Sequence, residues 1–225
     1  MTLNPVLRID TQMIETIKAH DPRVSKIEAR QRCRDALGQV GIPSPDERLK
    51  SYPHQFSGGM RQRVVIAIAL LNKPDLIIAD EPTRALDVTI QGQILFEAQK
   101  LCRETGTAMI WITRDLAVVA GLADKICVMY AGRIVEQGRL DDVLDHPVHP
   151  YTRGLLGSVP GHNTRGHRLF QIPGMAPSLL NLPQGCAFQA RCPRADETCH
   201  EPPEIQEAIP GRHIRCFHPH LEAPS

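Results

Sequence analysis

The apolar run Leu76-Ile77-Ile78-Ala79 ends in two adjacent acids, Asp80 and Glu81, followed by Pro82 and Thr83. Such a run reads as a buried strand that delivers both carboxylates to a sheet edge, where they can hold Mg²⁺ and an attacking water. The competing reading is an acidic strand-end turn that caps the next helix. Upstream lies Phe56-Ser57-Gly58-Gly59-Met60-Arg61-Gln62-Arg63. Ser57 is a candidate N-cap, and the two glycines leave backbone N–H groups open at a helix start, where an anion can bind. Alone, Ser-Gly-Gly is a turn before a helix; with Asp80 and Glu81 downstream it points to nucleotide chemistry. No Gly-Lys pair occurs in the chain, so the glycine-rich phosphate loop ending in Gly-Lys-Ser/Thr is missing from these residues.

The elements that must position these groups follow from periodicity. From Lys26 to Val40, Ala29, Cys33, Ala36, Leu37 and Val40 share one helical face, stopped by Gly41 and Pro43. A helix from Ser57 to about Leu71 precedes Pro74, and Asp87 can cap a helix from Val88 to about Arg103. Ala108 to Ile112 reads as a second buried strand and Leu116 to Leu122 as a short helix. Ile126 to Tyr130 and Arg133 to Glu136 flank Ala131-Gly132, a hairpin pattern. Alternating strands and helices predict an α/β core with a largely parallel sheet that ends in an antiparallel pair. Beyond about Asp145, proline, histidine and cysteine crowd the chain and periodicity fades, which predicts a separate module.

Composition excludes several functions. A net charge of +1 and 4% aromatic residues give no footprint for nucleic acid. The longest apolar run, Val64 to Leu71, is eight residues, against the roughly 20 that cross a bilayer as a helix. The first residues lack the basic start and apolar core of a signal peptide, so the chain is expected in the cytosol with its seven cysteines reduced. Cys33, Cys102 and Cys127 fall on helix or strand patterns and are expected in the core, while the histidines at 146, 149, 162, 167, 213, 218 and 220 are expected in solvent. Cys186, Cys192, Cys199 and Cys216 are separated by five, six and sixteen residues. Four reduced thiolates in a proline-rich tail can close a tetrahedral site for zinc or take a four-iron cluster, although the C-x-x-C pairs of a zinc ribbon are absent. Four unligated thiols that tuck a loop together are the alternative.

In this order, Ser57-Gly58-Gly59-Met60-Arg61-Gln62, Leu76 to Glu81 and Ala85-Leu86-Asp87 resemble the signature, the second nucleotide motif and the intersubunit loop of an ABC ATPase. His149-Pro150-Tyr151-Thr152, Pro183-Gln184-Gly185-Cys186-Ala187-Phe188, Arg191-Cys192-Pro193 and Arg215-Cys216 resemble the C-terminal extension of peptide importers. The chain is identified as similar to the ATP-binding subunit of bacterial dipeptide and oligopeptide ABC importers, over nearly its whole length. The resemblance implies an α/β fold: a partial P-loop NTPase core with a helical signature subdomain (1–75), the remaining catalytic core (76–145) and a Cys/Pro-rich extension (146–225). It implies ATP binding through Ser57, Gly58, Gly59, Met60, Gln62 and Asp87, Mg²⁺ on Asp80, and catalysis by Glu81 with Arg114.

The implied partners are a second ABC ATPase subunit, membrane-spanning permease subunits and, indirectly, a periplasmic peptide-binding protein, with the chain peripheral on the cytoplasmic face of the inner membrane. Similar cysteines hold an iron–sulfur (4Fe–4S) cluster in some dipeptide importers, which favours that over Zn²⁺ for Cys186, Cys192, Cys199 and Cys216. Two positions depart from the pattern: Arg114 stands where the family has a histidine that senses γ-phosphate, and Arg84 where a small hydroxyl residue is usual. The resemblance also implies that the phosphate and glutamine loops precede Met1, so that the chain is an N-terminally truncated cassette. It is then inactive as an ATPase by itself, or a non-catalytic partner, or a remnant.

Overall fold

The computed structural model describes residues 3–84, 86–159 and 168–221, the side chain of Ala117 apart. The chain divides into two compact units, one reaching Val118 and the other starting at Val119.

The first unit opens with α1 (Ile9–His20), α2 (Lys26–Gln39) and α3 (Pro45–Leu49). Ile9, Met13 and Ile17 recur every fourth residue and lie on the buried face of α1. They pack with Ala29, Cys33 and Leu37 of α2 and Leu49 of α3. Ser25 caps α2 by accepting from the N–H of Glu28, and Arg30 reaches across to Asp10 at 3.1 Å. α4 (Gly58–Leu70) closes this bundle with Val64, Ala67 and Ile68. The helix α1 carries the same spacing signal as α2, with Ile9, Met13 and Ile17 in place of Ala29, Cys33 and Leu37.

β1 (Leu76–Asp80), α5 (Val88–Thr105) and β2 (Ala108–Ile112) then form a strand–helix–strand unit, with the strands parallel and Asp80 level with Ile112. Both strands are expected to be buried, and the structure corrects this. Leu76, Ile78, Ile110 and Ile112 are exposed by 46–64% on one face of this two-stranded sheet. Parallel strands are normally covered on both faces; among the described residues one face of this pair has no cover.

α6 (Leu116–Ala120) spans the boundary between the units. The second unit is built on the hairpin β3 (Lys125–Tyr130) and β4 (Arg133–Arg139), turned at Ala131 (φ 48°) and Gly132 (φ 77°), two consecutive left-handed residues of the kind a two-residue hairpin turn demands. After α7 (Leu140–Asp145) and α8 (Pro150–Gly157) the chain returns as β5 (Gln206–Ile209) and β6 (Arg212–Ile214). β6 pairs with the free edge of β4, giving an antiparallel sheet in the order β3-β4-β6-β5. The antiparallel pair therefore sits in a different sheet from β1 and β2, and the proline-rich tail contributes two strands to it. Those strands are three and four residues long, too short for alternation to show.

Two further expectations change here. Cys127 is exposed rather than core, because it alternates outward from the buried Ile126 and Val128. His149 is 1% exposed rather than solvated. His162 and His167 lie outside the described residues.

Candidate functional site

Ser57 caps α4, its hydroxyl accepting from the N–H of Met60 at 3.3 Å. Gly58 and Gly59 have a packing reason as well as an electrostatic one. A Cβ on Gly58 would lie 3.2 Å from Leu86 Cδ2, and one on Gly59 2.8 Å from Cγ2 of Ile90 in α5. The first turn of α4 is thus pressed against the loop that follows Asp80 and Glu81. Asp87 caps α5 through the N–H of Ile90 at 3.0 Å. Gly58, Gln62, Asp80, Glu81, Arg84 and Trp111 line one cavity of 1140 Å³ within this unit, large enough for a nucleotide-sized group. The buried indole N–H of Trp111 has no partner among the described residues. Ser57, Gly59, Met60, Asp87 and Arg114 do not line that cavity, although Arg114 reaches it through Glu81.

Glu81 follows β1 directly and continues its pairing, donating its N–H to the Ile112 carbonyl at 2.9 Å, with φ at 43°. Both carboxylate oxygens are engaged. Arg114 Nε lies 2.6 Å from Oε1, and Arg84 Nη1 lies 2.9 Å from Oε2. Read from sequence, the two arginines are separate departures; in the structure they converge on one carboxylate. Arg84 is three residues from Glu81, a spacing that signals such a pair, but Arg114 arrives through the β1–β2 register, which the sequence does not print.

The second unit gathers the four cysteines of the tail. Burial pushes the Cys216 thiol up to about 11; the N–H of His218 draws it down, and Cys192, Cys186 and Cys199 each push it up again. Cys186 and Cys192 are raised above the usual thiol range, first by burial, with Cys199 adding to both and Cys186 adding to Cys192. Every pair among the four sulfurs therefore interacts. Yet no three lie within 4.8 Å of one another; the close-set group among the described residues is Asp196, Cys199 and His218. The extension is fastened by Glu136 of β4, whose buried carboxylate accepts from the N–H groups of Val148 (3.1 Å) and His149 (2.9 Å) and pairs with Arg212 of β6. His149 Nδ1 accepts from the N–H of Tyr151 at 3.0 Å, and burial lowers its pKa to about 4.

The family described as ABC transporter matches residues 2–84, and that described as the oligopeptide/dipeptide transporter C-terminal region matches residues 135–199. The chain is 51% identical over 218 residues to the oligopeptide transport ATP-binding protein OppD of Escherichia coli, covering 97% of this chain and 64% of that protein. It is 50% identical over 213 residues to the dipeptide transport ATP-binding protein DppD of Bacillus subtilis, covering 95% and 62%. The relatives it matches are oligopeptide and dipeptide transport ATP-binding proteins. It spans a little under two thirds of the length of these relatives. Among solved structures it is similar to cbiO1 of Clostridium perfringens, part of the cbiONQ ABC transporter complex (TM-score 0.55, 28% identity, 64% of this chain and 55% of that one). It is likewise similar to the dimeric bacterial ABC transporter cassette MJ0796 (TM-score 0.53, 31% identity, 61% and 59%). The fold is that of the α/β ABC cassette. The stretch matching the peptide-transporter C-terminal region contains Glu136, His149 and three of the four tail cysteines, so the buried fastening and most of the thiol cluster belong to the part characteristic of this family.

Proposed function

We propose that the chain is an ATP-binding, energy-coupling subunit of an ABC importer for peptides, working in a two-cassette assembly. The observation that carries this is the single cavity into which the first turn of α4 and the Asp80–Glu81 strand end both open, in a chain of this family. In the proposed assembly Ser57, Gly58, Gly59, Met60 and Gln62 present a helix N-terminus and its polar side chains to the triphosphate of the facing subunit, with Asp87 at the contact between subunits. Asp80 holds Mg²⁺ through water, and Glu81 with Arg114 addresses the attacking water. The partners are a second ATPase subunit and membrane-spanning permeases fed by a periplasmic peptide-binding protein. No described helix is long and apolar enough to cross a membrane, in keeping with a peripheral place on the cytoplasmic face. Within the chain, residues 1–75 act as the signature subdomain, 76–145 as the catalytic core and 146–225 as the peptide-importer extension.

A second reading rests on a specific observation. With both oxygens of Glu81 held by guanidinium groups that keep their protons at neutral pH, the carboxylate is poorly placed to accept one from water. With its acid held in this way, the chain then completes a partner's site and hydrolyses nothing at its own. The test is ATP turnover by the chain alone and with an intact cassette subunit, with and without Ser57→Arg. No turnover alone, and turnover in the assembly that Ser57→Arg abolishes, is expected; turnover indifferent to Ser57→Arg removes the trans-acting role.

For the extension we infer an iron–sulfur cluster on Cys186, Cys192, Cys199 and Cys216. A single zinc ion at about 2.3 Å from each sulfur sets tetrahedral sulfurs about 3.8 Å apart, whereas no three of these sulfurs lie within 4.8 Å of one another. A four-iron cluster gives each thiolate its own iron and suits mutually close but separate sulfurs.

A further inference from the structure

Two of the tail sulfurs accept from a backbone N–H. Cys192 takes the N–H of Arg194 at 3.4 Å, and Cys216 that of His218 at 3.3 Å. Cys199 is set by its own backbone and by side chains beside its sulfur. Its own backbone closes the surrounding turns, the N–H donating to the Asp196 carbonyl at 3.1 Å and the carbonyl accepting from Cys186 N–H at 2.9 Å. What stands beside this buried thiol is a side-chain pair: a ring nitrogen of His218 and a carboxylate oxygen of Asp196, each within 4.8 Å of the sulfur and of the other.

That pair is held firmly. Asp196 Oδ1 lies 2.9 Å from His218 Nε2 and accepts from the Thr198 N–H at 2.9 Å and the Thr198 hydroxyl at 2.6 Å. The same hydroxyl stands 3.1 Å from the imidazole. His218 comes from the segment after β6 that carries Cys216, and Asp196 caps the short turn Glu197–His200 that carries Cys199. The contact therefore joins two chain segments that each bring one thiol.

We propose that Asp196 and His218 are positioning residues for Cys199: they stand as a fixed polar pair beside its sulfur, and they set its separation from Cys216. The inference rests on the iron–sulfur reading of the four cysteines. Asp196 holds the imidazole, one ring nitrogen of which lies within 4.8 Å of the sulfur. Partners of this kind behind a ligand change metal retention by about 10- to 100-fold when removed, and hydrogen bonds to ligand sulfurs help set a cluster's reduction potential.

The experiment uses the full chain, produced with iron and sulfide supplied and purified without oxygen. Iron and acid-labile sulfide in the unaltered chain test the cluster itself. Iron release to a chelator and the reduction potential are then compared in His218→Ala, His218→Gln and Asp196→Asn. His218→Ala is expected to release iron about tenfold faster. Its potential should move negative, by about 59 mV for each tenfold change in the one-electron equilibrium. His218→Gln, which keeps a side-chain N–H donor, should recover most of both losses. Asp196→Asn, which keeps an oxygen to cap the turn, should fall between. A merely structural contact would leave the potential unmoved, and unchanged release and potential in all three variants overturn the proposal. A chain without iron and sulfide from the outset refutes the cluster reading and the positioning role with it, a result distinguishable because it appears before any substitution.

Discussion

Glu136 and Arg212 join the hairpin β3–β4 to the returning strand β6, and their burial makes the consequence of breaking them large. Glu136 is 0% and Arg212 4% exposed. The carboxylate takes two backbone N–H groups and the guanidinium; Arg212 adds only the His146 carbonyl at 2.7 Å, and its Nε has no partner among the described residues. Replacing Arg212 by Met leaves a charged, buried Glu136 with two amide donors, and removing one partner of such a pair costs about 3–5 kcal/mol. Glu136→Leu strands the guanidinium and also the N–H groups of Val148 and His149, which adds about 1–3 kcal/mol for each unpaired group. That sum reaches the 5–15 kcal/mol that holds a whole domain folded, so the second unit should unfold in Glu136→Leu. The double variant removes both charges and leaves the two amides and the His146 carbonyl without these partners, so it should be more stable than Glu136→Leu alone. The assay is urea denaturation followed by far-UV circular dichroism; Trp111 fluorescence belongs to the first unit and should not report this transition. A loss below about 1 kcal/mol in Arg212→Met, or additive effects in the double variant, would refute the reasoning.

His149 gives a pH dependence with a definite sign. Its folded pKa of about 4 lies below the ordinary 6.5, so its contribution is full above 6.5 and is lost as pH falls toward 4. Denaturation at stepped pH should show about 3 kcal/mol disappearing over that window, and His149→Asn, which can still accept from Tyr151, should flatten the curve. Gly59→Ala places a methyl 2.8 Å from Ile90 Cγ2 and should destabilise α4–α5 packing by about 1–2 kcal/mol despite better helix propensity. Gly92→Ala in α5 meets nothing within 4 Å and should stabilise by about 1 kcal/mol, so thermal melts of the two variants should move in opposite directions. Cys33, fully buried and pushed up to about 12 first by burial and then by Asp10, should resist alkylation until the first unit unfolds, whereas exposed Cys127 should react in the native protein.

The parts of the fold written in short-range patterns were open to reading. The stripe of Ala29, Cys33, Ala36 and Leu37, the caps at Ser57 and Asp87, and the Ala131-Gly132 turn all depend on residues within a few positions of one another, and α2, α4, α5 and the hairpin follow from them. What escaped depends on partners far along the chain. The exposure of Ile78 and Ile110 cannot come from an apolar run, because a run says that a strand prefers cover and not whether these residues provide it. The burial of His149 escaped for a related reason. A histidine among prolines reads as solvent-facing until Glu136 and Arg212, from two distant strands, close over the segment it begins.

The Glu81 site shows the same limit at the centre of function. Asp80 pairs with Ile112, so the chain leaves both strands side by side, Glu81 donates to Ile112, and Arg114 follows two residues later. Any long cation at position 114 would therefore meet the carboxylate at 81. With Arg84 three residues from Glu81, a second guanidinium reaches the other oxygen. Each arginine alone leaves one carboxylate oxygen for water; both together leave a proton acceptor already occupied by two donors that stay charged. The two departures from the family pattern are thus coupled by one residue. Restoring a histidine at 114 alone should change Glu81 less than replacing both arginines, and that non-additivity is the signature to seek in an assembly that supplies the phosphate loop.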